Sequence, residues 1–423
     1  MLEKPKLFLN VKEFWLVMAI LVLVLLLRLS FFYGDYQDFK SKPFYFTNVE
    51  VLQQYEKESR GRPYTMLRVY SDGLGLTFFT RTQKKETFLN HQLRLKLFPE
   101  EKMRFVEYLG TSFINSEIKE VFDVELGVKK SLLESVAKQH QSGMISNFYQ
   151  AIFFATPLEK SLRDRVSMLG VSHLIALSGF HLAILWGVLF VLIRPFYRGL
   201  QQRFFPYRFD LIDVGFLVLV ILGWYVWFVD APASLLRSYM MMVIGWTLLV
   251  LGMELLSFTF LATIVMLLLV IFPKLLLSLA FWFSVLGVFY IFLLLHYFST
   301  LHKVLITLMI SFGIFVLMLP IVHLVFPVVS PLQLYSPFLS LLFGFFYPLS
   351  MGLHLVGLGY LLDVPLLELF TMRSDVHLVP LDKYYGMAYL LLSLGAIYSK
   401  RLFYLLFLVA FGFMGWMFIG FWV

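Results

Sequence analysis

Residues 170–185 read GVSHLIALSGFHLAIL and place two histidines and two serines inside an apolar run long enough to span a bilayer. Imidazole and hydroxyl groups are costly to bury without partners, so at membrane depth they face a protein interior, a water-filled cavity or a substrate path. On one continuous helix His173 and His181 would stand about 80° apart, while Ser178 and His181, three apart, would share a face. A two-histidine metal site favours an i, i+4 pair, so no metal is expected here. Ser178 beside a histidine has the elements of an intramembrane serine hydrolase, but the sequence displays neither a general-base arrangement nor an oxyanion hole. Close helix packing at Ser178 and Gly179 is the plainer alternative. The reading carried forward is a polar lining, formed by His173, Ser178, Gly179 and His181, that contacts phosphate or protons.

A second polar interruption lies at Asp230-Ala231-Pro232-Ala233-Ser234-Leu235-Leu236-Arg237, between two closely spaced apolar runs. Proline favours the first turn of a helix, so a helix is expected to start there with its positive dipole end near membrane depth. Arg237 adds a fixed cation, which costs about 2.5–3.5 kcal/mol at the bilayer centre unless a partner or water meets it. The anion-friendly group is thus Asp230, Pro232, Ser234 and Arg237, with a plain Asp230 to Arg237 ion pair as the alternative.

The elements that must position these groups are mostly membrane helices. Hydrophobic residues make up 60% of the 423-residue chain and its mean hydropathy is +0.80, far above soluble domains. The net charge of +8 suits anionic lipid or an anionic substrate. With no cysteine there is no disulfide, thiolate metal site or thiol nucleophile. Apolar runs at 14–33, 168–193, 211–229, 234–253, 255–272, 275–295, 304–326, 335–362, 386–399 and 402–423 suggest about ten segments, some broken or re-entrant. The first follows lysines and has no small-residue cleavage site, so residues 1–34 read as an uncleaved anchor with a cytoplasmic N-terminus. Four arginines in the 194–208 loop place that loop in the cytoplasm as well. Simple alternation then puts Lys400 and Arg401 on the wrong side, so either the stretch 363–385, with Pro365 and Pro380, hides a re-entrant piece or one of the runs does not cross.

Residues 35–123 change character. Alternating stretches at 45–53, 64–70, 74–81 and 92–98, split by turn-prone Arg60-Gly61-Arg62-Pro63 and Ser71-Asp72-Gly73, predict a small external β-barrel of the OB type. Basic residues outnumber acids there, and Arg60, Arg62, Arg68, Arg81, Lys84, Lys85, Arg94 and Lys96 interleave with Tyr45, Phe46, Tyr64, Tyr70, Phe78 and Phe79. That mixture suits a single-strand groove, in which cations track phosphates and rings stack on bases. Core aromatics and a solvated basic surface account for the same pattern. Residues 124–166 read as amphipathic interfacial helices, with apolar Ile145, Phe148, Ile152 and Phe153. The S-x-x-K match at Ser135 to Lys138 lacks KTG and SDN partners and is discarded. His296, His302, His323, His354 and His377 carry no mutual spacing and read as packed or interfacial residues.

The segment HLIALSGFHL resembles the histidine and serine-glycine signature of the ComEC family of competence proteins, and Pro232-Ala233-Ser234-Leu235-Leu236-Arg237 resembles the family's second patch. Weaker likeness continues at 273–284 with Phe281, and from Tyr335-Ser336-Pro337 to Pro348. The anchor and OB-like domain match the family's N-terminal plan, and residues 167–423 its polytopic channel domain. Phe180, Leu182 and Ser238 depart from the usual residues. The resemblance implies a bacterial inner-membrane channel for uptake of single-stranded DNA in natural transformation, with the β domain in the periplasm and no cofactor. The nuclease domain of many relatives is not expected, since no H-x-H-x-D-H cluster occurs, and no P-loop sequence occurs either. A periplasmic DNA receptor and a cytoplasmic ATPase or strand-binding partner are therefore expected alongside DNA and lipid, and the chain itself is read as a non-enzyme. A proton-coupled small-solute transporter is the main alternative from the residues alone.

Overall fold

The computed structural model describes residues 7–8, 10–59, 62–84, 86, 88–89, 91–123, 127–175, 177–252 and 257–419. The chain divides into two units, one of Phe8–Ser131 with Ala262–Phe281, the other of Met1–Leu7, Leu132–Leu261 and Trp282–Val423.

The first unit begins with helix α1 (Val11–Ser41). Its Leu, Val and Ile run has no internal proline, and the helix continues past residue 34 because its last turns have a protein core to enter. Tyr36 and Phe39 are buried there, and the Tyr36 hydroxyl donates to the Met103 carbonyl oxygen at 2.6 Å. Four strands follow, β1 (Tyr45–Ser59), β2 (Arg62–Ser71), β3 (Leu76–Thr82) and β4 (His91–Phe98), then a short helix α2 (Phe105–Leu109) and strands β5 (Ser112–Phe113) and β6 (Asn115–Asp123). The sheet order is β5-β3-β2-β1-β4-β6, with only the β3 to β5 pairing parallel. Alternation drives the pairing: Leu67, Val69, Phe78, Leu93, Leu95 and Leu97 point inward and are fully buried. Each such side chain contributes about 1.5–3 kcal/mol of burial. β5 and β6 are successive pieces of one segment hinged at Ile114, whose N–H donates to the Phe79 carbonyl oxygen at 2.8 Å. Thr80 and Ser116 join their hydroxyls at 2.6 Å. One segment thus pairs with β3 by its start and with β4 by the rest, which brings the two edges of the sheet together. In the β2 to β3 turn Gly75 adopts φ +59, a conformation that favours glycine, and its carbonyl oxygen accepts from the Lys274 ammonium.

The second unit is helical. It holds α3 (Gly127–Ala137) from Leu132 on, α4 (Gly143–Phe154), α5 (Lys160–Met168), α6 (Ser172–Ile175), α7 (Gly179–Phe204), α8 (Asp210–Phe228) and α9 (Ala233–Val250). Helices α10 (Phe258–Ile271) and α11 (Leu279–Phe298) come next in the chain, followed by α12 (Lys303–His323), strand β7 (Val328–Val329), α13 (Ser336–Leu355), α14 (Asp363–Thr371), strand β8 (His377–Leu378), α15 (Lys383–Gly395) and α16 (Lys400–Ile419). α7 packs on α8, α9 and α13, and α12 packs on α13, α15 and α16. Ile145, Tyr149, Ile152, Leu182, Val218, Leu235 and Tyr347 share the core, whereas Phe216, Trp227 and Phe345 are exposed, as lipid-facing residues are. The apolar positions of α4 therefore meet protein.

Among the described residues seven helices are long and apolar enough to cross a membrane, and two more apolar helices are shorter. The expected segments number about ten. The 386–399 run lies in α15, only 13 residues long because Asp382 caps its start and a turn follows Gly395. The stretch 363–385 forms α14 and then β8, which pairs with β7.

Candidate functional site

The 168–193 run is not one helix. The backbone turns at Gly170 (φ +67), α6 is a single turn ending at Ile175, and Ser178 is the extended N-cap of α7. His181 sits at the third helical position, and its Nδ1 accepts the Ser178 backbone N–H at 3.3 Å, with the Ser178 Oγ 3.4 Å away. This is a capping box with histidine in the place usually taken by Glu or Gln. Because Nδ1 accepts, a neutral His181 carries its proton on Nε2. That atom is buried and has no partner among the described residues. The Phe343 and Tyr347 rings stand edge-on to the imidazole at 5.0 and 4.8 Å. Since the helix is broken, the 80° relation between His173 and His181 does not apply. His173, on α6, is exposed, with Nε2 3.4 Å from the Ser340 Oγ.

The second patch closes α8 and opens α9. Asp230 and Ala231 take positive φ of 63 and 44, and their N–H groups donate back to Trp227 and Val226, which ends α8. Pro232 is the N-cap of α9. Asp230 is exposed, and Arg237, just over a turn into α9, is buried at 6% exposure.

These patches, 57 residues apart, meet. The Ser234 hydroxyl donates to the Leu177 carbonyl oxygen at 2.8 Å, satisfying a backbone acceptor that the α6 to α7 break leaves open. A Cβ at Gly179 would lie 3.0 Å from the Ser238 Oγ, so glycine lets α7 start against α9. The start of α13 joins them, with the Ser336 hydroxyl donating to the Gly170 carbonyl oxygen at 3.1 Å and Gln333 packed under Gly170. Two broken helices and a serine-proline helix start are thereby held together around His181.

The sequence model of the family described as Competence protein matches residues 155–422, well over half of the chain and all three patches. The chain belongs to the ComEC-type competence protein family. No curated protein and no solved structure matches it.

In this competence protein the basic residues read as a strand groove lie in the first unit. Arg60 and Lys85 fall outside the described residues, and of Arg62 only the backbone is described. Arg68 and Arg81 project from the outer face of β2 and β3, with Arg68 paired in register with Phe79. Lys84 is exposed, and Arg94 pairs with Glu120 at 3.5 Å. Lys96 sits over Phe44, Phe46 and Phe98, at 4.3, 5.9 and 5.4 Å from the ring centres. Those three rings are themselves exposed, whereas Phe78 is core. Lys119, hydrogen-bonded to Glu117, holds that carboxyl below its usual range. Sequence reasoning missed Phe44 and Phe98, which alternation with Phe46 and Lys96 could have revealed, and it missed His140 and Asp363, which no spacing ties to His354.

Proposed function

We propose that this member of the competence family conducts single-stranded DNA across the bacterial inner membrane, and that the meeting of its three broken-helix patches forms the point of passage. The carrying observation is the Ser234 to Leu177 hydrogen bond, which ties the Arg237 helix to the His181 helix start. A buried arginine, a helix N-terminus and an imidazole N–H donor gather groups that complement phosphate. Their placement among apolar helices supports an anion path in preference to a membrane-surface site. His173, Ser178, Gly179, His181, Asp230, Pro232, Ser234 and Arg237 are its proposed wall.

The six-strand sheet, whose edge strands β5 and β6 are consecutive in the chain, supports an OB-like reading of the first unit, placed in the periplasm, whose Lys96 and phenylalanine face would receive the strand by stacking. Each phosphate entering a negative interior opposes about 2.3 kcal/mol per 100 mV, and the sequence has no P-loop, so a cytoplasmic ATPase or strand-binding partner and an external DNA receptor complete the reading. A serine hydrolase is disfavoured: His181 spends Nδ1 on a backbone N–H, and no carboxylate meets Nε2 among the described residues, whereas a catalytic triad needs one on the nitrogen away from the serine.

The test is Arg237→Ala in the native host, scoring labelled DNA in the cytoplasm with arrival in the periplasm as control. Cytoplasmic label should fall at least tenfold with periplasmic label unchanged. Normal import would overturn the reading, and loss of both signals would move the defect to the receptor.

A further inference from the structure

A polar chain in the helical unit lies outside the three patches and brings together residues more than 200 positions apart. His354, at the end of α13, has Nδ1 2.6 Å from the Ser350 carbonyl oxygen. Its Nε2 stands 3.0 Å from the Nε2 of His140, whose Nδ1 is 2.8 Å from the Asp363 Oδ1. The His140 side chain is fully buried, and Asp363 is 20% exposed.

Three hydrogen bonds in series need three protons. A carbonyl oxygen only accepts, so His354 must donate from Nδ1, and a neutral His354 then presents a lone pair at Nε2. His140 must donate to that lone pair. A neutral His140 has then spent its one proton, so the contact with Asp363 requires another, held as an imidazolium beside a carboxylate or as a carboxyl group donating to Nδ1. Remove that proton and either two imidazole lone pairs face each other at 3.0 Å or a lone pair faces the carboxylate. One link of the chain must then break.

The surroundings are built to hold this arrangement. The Gln139 amide donates to the His354 carbonyl oxygen at 3.1 Å and accepts the Gly359 N–H at 2.9 Å. A Cβ at Gly359 would fall 2.7 Å from both the His354 Nε2 and the Gln139 Oε1, so only glycine leaves room. The other titratable group facing the pair is Tyr149, whose ring stacks on His140 at 4.7 Å and lies 4.4 Å from His354. Burial pushes its phenol up, so it stays neutral. No group of three metal-ligating side chains gathers among the described residues, which favours a proton over a metal ion between the two nitrogens.

We propose that Asp363, His140 and His354 bind one exchangeable proton, and that its loading and release, by making and breaking the clasp between residues 139–140 and the 350–363 turn, is coupled to strand passage. The coupling rests on the DNA-channel reading above; the proton site does not.

The full-length protein purified in detergent and labelled with 15N-histidine tests the site without any substitution. A scalar coupling between two Nε2 atoms is expected while the proton is held, vanishing on alkalinisation with release of one proton per chain. Asp363→Asn, whose amide can itself donate to His140, should lack that proton. No such coupling at any pH, equal proton release by wild type and Asp363→Asn, or one tightly bound zinc per chain would each overturn the site. In cells, Asp363→Asn and His354→Gln should lower cytoplasmic DNA label at least tenfold with periplasmic label intact, and wild-type import by both would overturn the coupling. Normal import by Arg237→Ala would sink the channel reading while leaving the nitrogen-to-nitrogen coupling standing, so the two failures are distinguishable.

Discussion

The Ser234 hydroxyl donates to the carbonyl oxygen of Leu177 at 2.8 Å, across 57 residues and between a helix start and a helix break. Serine at 234 therefore does structural work that alanine cannot. Ser234→Ala should cost about 0.5–1.5 kcal/mol, the usual net worth of such a bond, read as a lowered melting temperature of the purified protein. It should also reduce DNA import more than a neighbouring conservative change such as Leu236→Met.

Gly179 offers a sharper steric test. Gly179→Leu would drive atoms into Ser238 and should destabilise by about 1–3 kcal/mol, as overpacking does. Pairing it with Ser238→Gly should restore part of the loss, measured by thermal unfolding of both variants.

His181 caps α7 through Nδ1 and keeps an unmatched donor at Nε2. His181→Gln retains a side-chain acceptor for the cap, so it should preserve folding while lowering import, whereas His181→Leu should lose both. Thermal unfolding alongside an import assay separates the two effects.

On the sheet, Lys96 and its three phenylalanines form a ledge on which, in the proposed reading, base stacking would contribute about 1–3 kcal/mol per ring. Phe46→Ala should weaken binding of a fluorescent oligonucleotide to the purified protein by roughly tenfold or more. Lys96→Glu should weaken it further and flatten its salt dependence.

Burial, reinforced by the charge of Asp35, pushes the Tyr108 phenol up to about 12. The folded state thus prefers the neutral form, and the stability this contributes is complete below the ordinary tyrosine value of 10.0 and is lost as pH rises through about 12. Alkaline unfolding should steepen across that window in the wild type and be shallower in Tyr108→Phe, followed by circular dichroism.

The first four strands were legible because inward leucines and valines alternate cleanly from Leu67 to Leu97, whereas α2 and the segment that makes β5 and β6 around Ile114 escaped. The membrane class was legible from hydropathy, but not where the helices stop. The run through His173 and His181 has the apolar content of one helix, yet Ser178 with His181 three positions on spells a cap, and reading histidine as a capping acceptor would have exposed the break. The meeting of Ser234 with Leu177 and of His140 with His354 depends on tertiary packing, about which local spacing is silent.

The segment 112–123 pairs with β3 through its first residues and with β4 through the rest, so both edge strands of the sheet belong to one stretch of chain. An edge that opened would pull on the other through Ile114. The two margins of the β domain are therefore joined covalently by a single residue, and loosening one loosens the other.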